Sequence, residues 1–62
     1  MKTNEFTRIL LDRGCFLLKH GSRHDIWKNP VTGETEAVPR HGAREIKKVL
    51  AMKILRNLSV ED

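Results

Sequence analysis

Sixty-two residues, 39% of them hydrophobic and 32% charged, make a chain that folds but buries only about 60% of the surface its unfolded form exposes, which excludes a large internal substrate cavity. The lone cysteine, Cys15, excludes an intrachain disulfide and a zinc site of paired cysteines and suits a reducing cytoplasm, and no apolar run nears the roughly 18 residues needed to span a bilayer or offers a secretion signal. The net charge of +4 is unevenly spread: from Arg40 to Arg56 six basic side chains face Glu45 alone, and such a field favours a polyanion, nucleic acid first.

A first helix is expected over 4–13, where Phe6, Ile9 and Leu10 recur at helical spacing, Thr3 or Asn4 supplies a cap, and Gly14 takes the left-handed position after the last turn. The apolar run over 15–20 is too short for another helix and reads as a strand mostly covered by helices. Gly21-Ser22 reverses the chain. A second strand over 23–28 then alternates, with His24, Ile26 and Lys28 on one face and Arg23, Asp25 and Trp27 on the other. Asn29-Pro30-Val31-Thr32-Gly33 is a hairpin loop, 34–38 returns as a third strand, and Pro39 ends it by lacking an amide hydrogen.

A second helix is expected over 43–57, with Ala43, Ile46, Leu50, Ile54 and Leu58 in one stripe. Val49, Met52 and Leu55 fall outside it, as part of a wide buried face or of an exposed patch for a partner. The closing residues 59–62 form a short frayed tail. Helix, three antiparallel strands and helix give one α+β domain over 1–62, a two-layer sandwich with both helices on one sheet face and the other face open to solvent.

Chemistry narrows to the histidines. His20 and His24 are four apart, but Gly21-Ser22 breaks any helix between them, and no carboxylate cluster completes a metal site. Cys15 begins a covered strand, and Ser22 lacks the glycine-framed turn and oriented base of a serine nucleophile. An imidazole, however, titrates near neutral pH and moves protons either way. RNA has the matching need: its 2′-hydroxyl must lose a proton to attack the adjacent phosphate, and the departing 5′-oxygen must gain one. His24, with Arg23, Lys28 and Arg40 as phosphate clamps, is a minimal ribonuclease site. Trp27 is weighed as a stacking surface for a base and as core, and its parity opposite His24 favours core. Phe6 and Phe16 are core candidates.

Gly-Ser-Arg-His-Asp-Ile-Trp-Lys-Asn-Pro over 21–30, Thr32-Gly33, and Val-Pro-Arg-His over 38–41 followed by Glu45-Ile46-Lys47 together resemble the HicA (YcfA-like) mRNA interferase toxin family, over nearly the whole chain. The resemblance implies a fold like that of the double-stranded-RNA-binding domain. It implies a cytoplasmic toxin of a type II toxin-antitoxin system that cleaves messenger RNA without a metal or other cofactor, held inactive by a HicB-like antitoxin. The family's catalytic histidine maps onto His24, its glycine-serine turn onto Gly21 and Ser22, and its proline-arginine-histidine segment onto Pro39-Arg40-His41 in a structural or RNA-contacting role. Relatives carry other residues where Arg23 and Asp25 stand here, which leaves open the neighbour that tunes His24. The basic second helix, through Lys47 and Lys48, is expected to add phosphate contacts. Two rival readings share the fold: a non-catalytic RNA-binding module, and a degenerate toxin that only binds its antitoxin.

Overall fold

Apolar residues at helical spacing start the chain into a helix, and glycine stops it. In the computed structural model, which describes residues 1–40 and 43–61, α1 spans Thr3–Asp12 and fully buries Phe6 and Leu10. Gly14 then turns the chain at φ +91°, a conformation that costs little only without a side chain. Neither Thr3 nor Asn4 is the cap. Lys2 is the boundary residue and its N–H donates to Glu5 Oε1 at 3.0 Å. The Thr3 hydroxyl donates instead to the Arg44 carbonyl at 3.0 Å, so a contact with a distant segment outweighs the local one.

The strands β1 (Phe16–His20), β2 (His24–Lys28) and β3 (Thr35–Pro39) form an antiparallel sheet in the order β1-β2-β3. Pairs of Leu17 with Trp27, Trp27 with Glu36 and Asp25 with Val38 define one face. Trp27 and Val38 are buried there beneath the helices, with Leu17 packed against the same core. Alternation turns Phe16, Lys19, His24, Ile26, Lys28 and Ala37 to the other, open face. The arrangement α-β-β-β-α, with both helices feeding one core, is the expected two-layer sandwich of the double-stranded-RNA-binding type.

Two expectations about this sheet fail, for the same reason. β1 is not mostly covered: it is an edge strand, Leu17 is its one apolar residue on the core face, and a register shift between Leu17 and Lys19 leaves Leu18 exposed. Phe16 is not core, being 39% exposed. A run of apolar residues signals burial on both faces only when both faces are covered, and this sheet has one layer of helices.

The loop after β2 is anchored by Asn29, a buried side chain that sequence alone reads as a turn former. Its Nδ2 donates to the Leu58 carbonyl at 2.7 Å and its Oδ1 accepts from the Val31 N–H at 3.0 Å. Gly33, at φ +80°, closes the loop by donating its N–H to the Asn29 carbonyl.

The second helix, α2, is Lys48–Asn57, five residues shorter at its start than expected. Its forerunner is extended because Glu45 bridges to Lys2 and the Ile46 N–H donates to the Met1 carbonyl at 3.0 Å. Ile46 is therefore buried from outside the helix, Ala51, Ile54 and Leu58 form the inner stripe, and Ala43 and Leu50 are exposed. Val49 and Met52 belong to an exposed patch, while Leu55 is half-buried. The residues after α2 are not frayed as far as Val60: Ser59 Oγ donates to Glu34 Oε1 at 2.6 Å and the Val60 carbonyl accepts from Arg13 Nη1 at 2.7 Å. The one polar side-chain atom buried without a partner among the described residues is Trp27 Nε1, a cost that the indole's apolar burial offsets. No helix among the described residues is long and apolar enough to cross a membrane.

Asn29→Ala removes two hydrogen bonds and leaves the Leu58 carbonyl unsatisfied in the interior, so urea unfolding is expected to show a loss of about 2–3 kcal/mol. Asn57→Ala, which removes only a part-buried 3.3 Å bond to Glu36, is expected to cost less than about 1 kcal/mol.

Candidate active site

The hairpin between β1 and β2 is held from both sides. The Asp25 carboxylate, turned toward the helix side of the sheet, accepts from His20 Nδ1 at 3.1 Å and from the Gly21 N–H at 3.3 Å. Just past the end of β3, Arg40 donates through Nη1 to the Gly21 carbonyl at 2.6 Å, places Nε 3.8 Å from Asp25, and pairs its own N–H with the Arg23 carbonyl at 3.2 Å. Gly21 is required for space rather than for a positive φ: a Cβ there would overlap the carbonyl oxygen of His24. The turn is thus short, crowded and fixed.

His24 is the first residue this turn delivers to the sheet. Its backbone pairs with Pro39 and its imidazole stands exposed on the open face, with no side-chain hydrogen bond among the described residues. A side chain so placed is free to meet a ligand with either ring nitrogen. Asp25, adjacent in sequence, is not its partner, because alternation sends that carboxylate to the opposite face, where His20, Gly21 and Arg40 occupy it.

Of the expected phosphate contacts, Arg23 is exposed in the turn just before His24, next to the exposed Ser22, and Arg40, its side chain 47% exposed, lies with Asp25 on the helix side of that turn. Lys28 shares the open face with His24 at the far end of β2, about 13 Å away at the usual strand rise. Lys47 and Lys48 are not part of this group. They stand at the start of α2, where they line a groove of about 610 Å³ between the helices with Met1, Phe6, Ile9 and Met52. His41 lies outside the described residues.

Sequence reasoning missed the bond between His20 and Asp25, which depends on the cross-strand register that makes those two residues partners. His20 and His24 do not converge on a metal: among the described residues no three His, Cys, Asp or Glu side chains are placed to share one. Cys15 is a poor nucleophile here, since it is buried and burial pushes its thiol up from the ordinary value, leaving less thiolate.

Comparison with known proteins bears on this geometry. A family model described as the HicA toxin of bacterial toxin-antitoxin matches residues 3–60. Searches of curated proteins and of solved structures return no match.

Gly21→Ala is expected to keep the helices, as read by circular dichroism, while costing about 1–3 kcal/mol and displacing the His24 imidazole resonances in NMR spectra. Ser22→Ala, at an exposed position with no side-chain bond among the described residues, is expected to do neither.

Proposed function

The chain belongs to the HicA toxin family of bacterial toxin-antitoxin systems, and from that premise we propose that it is a cytoplasmic endoribonuclease that cleaves messenger RNA without a metal, through His24. The observation that carries this reading is the position of that histidine. It is exposed on the open sheet face, at the mouth of a turn whose backbone is held by Asp25, Arg40 and Gly21, so it presents a proton-transfer group from a fixed backbone position to a ligand that arrives from solvent.

His24 either takes the proton of the ribose 2′-hydroxyl, whose oxygen then attacks phosphorus, or gives a proton to the departing 5′-oxygen. The P–O5′ bond breaks as the P–O2′ bond forms, which leaves a 2′,3′-cyclic phosphate and a 5′-hydroxyl. Arg23, next to His24 in the exposed turn, suits the non-bridging oxygens, whose charge is spread in the transition state, and Arg40, half-exposed where it closes that turn from the helix side, adds positive charge from there. Lys28 extends the cationic path along the sheet. Lys47 and Lys48, on the helix layer, add long-range attraction to the polyanion rather than contact at the scissile bond. A toxin of this family has an antitoxin partner, which we take to be HicB-like.

Because the His24 side chain makes no hydrogen bond or ion pair among the described residues, its truncation tests chemistry with little effect on the fold. His24→Ala is expected to lower the cleavage rate by on the order of 10²–10⁴ while RNA affinity and thermal stability stay near those of the parent. Unchanged cleavage in that variant sinks the proposal. RNA binding without cleavage by the parent itself points to a non-catalytic module.

A further inference from the structure

The open sheet face carries an aromatic ring that the fold does not use. Phe16 leads β1, lies opposite Lys28 in the sheet register, and is 39% exposed, while Phe6 and Trp27 are both buried. Around it on the same face are Ile26, Lys19 and Lys28, with His24 at the far end of the neighbouring strand.

The charge on this face is one-sided. Both strand carboxylates, Asp25 and Glu36, have the parity of Trp27 and Val38 and point to the helix side. Glu36 there accepts from Asn57, and Asp25 is held by the turn. The strand positions facing solvent therefore carry Lys19, Lys28 and His24 and no carboxylate. A flat surface with an aromatic ring, flanked by lysines and free of acid, has the composition of a single-strand nucleic-acid platform, where rings take bases and cations take phosphates.

We propose that Phe16 is a base-stacking subsite, and that the substrate is a single strand of RNA lying across the open face from His24 to Phe16, with one unpaired base on the ring and the following phosphate near Lys28. The proposal rests on the reading of His24 as the cleaving residue and adds the class of RNA and a position it recognises. A paired base has no free face to offer, so the subsite selects unpaired RNA. It also gives a preference at a fixed offset from the cut, because Phe16 and His24 sit on one rigid sheet.

The test uses the full chain carrying His24→Ala, so that binding is measured without cleavage, and a set of oligoribonucleotides each with one abasic position. With Phe16 intact, one abasic position a fixed number of nucleotides from the cut is expected to weaken binding roughly 5- to 150-fold. Phe16→Leu is expected to weaken binding of the unmodified strand by a similar factor and to be indifferent to the abasic position, whereas Phe16→Tyr retains parent behaviour. A structural role for Phe16 gives instead a loss that adds in full to the loss from the abasic position, and that result overturns the subsite. So does equal affinity for the strand and for its duplex. If the Phe16→Leu, His24-intact chain cuts as before, at the same positions and rate, the subsite fails while the ribonuclease reading stands. If the parent neither binds nor cuts RNA, both fall.

Discussion

Burial of Trp27 and Val38 beneath the two helices decides which way every other strand residue points. Phe6 and Leu10 from α1, Ile54 from α2 and Leu58 just after it fill one side of the sheet, and a chain of this size has no second apolar layer for the other. Side-chain alternation does the rest. Moving β2 by one residue would carry Trp27 into solvent and His24 and Lys28 into the core, so the same contacts that hold the fold hold the register of the site. Asp25 and Glu36 are drawn to the helix side by that parity, and the open face is left cationic.

Within this frame the hairpin at Gly21 is a local device with a distant anchor. Asp25 reaches its amide from one strand and Arg40 its carbonyl from just past another, so both hydrogen-bonding groups of one residue are fixed by side chains. The guanidinium that closes the turn stays with Asp25 on the helix side, so the group that fixes the turn leaves the face of His24 clear. A histidine at the end of a loose hairpin would have to be ordered by its substrate. Here the backbone share of that entropy is lost at folding.

The element order, the parity of β2, the burial of Trp27 and the left-handed Gly14 were all legible in the sequence, because periodicity and the stereochemistry of glycine are local properties. What escaped depends on residues far apart. The start of α2 was placed early since Ala43 and Ile46 fit a helical stripe, and nothing local reveals that Ile46 pairs with Met1 and that Arg44 accepts from Thr3. Asn29 reads as a turn residue until the end of α2 is brought over it. The exposure of Phe16 follows from β1 being an edge strand with a bulge, which no window of sequence contains. For the candidate site, His24 was singled out by chemistry and resemblance together, while its isolation from Asp25 and its place on a face without strand carboxylates needed the sheet.

The central claim is that RNA is met by the open sheet face and not by the helix layer, and methyl NMR of the His24→Ala chain titrated with a short unpaired oligoribonucleotide tests it directly. The account predicts that the methyls of Ile26 and Ala37 shift with added RNA while those of Val49 and Met52, exposed on α2, stay in place. Shifts confined to Val49 and Met52, with Ile26 and Ala37 unmoved, would contradict it.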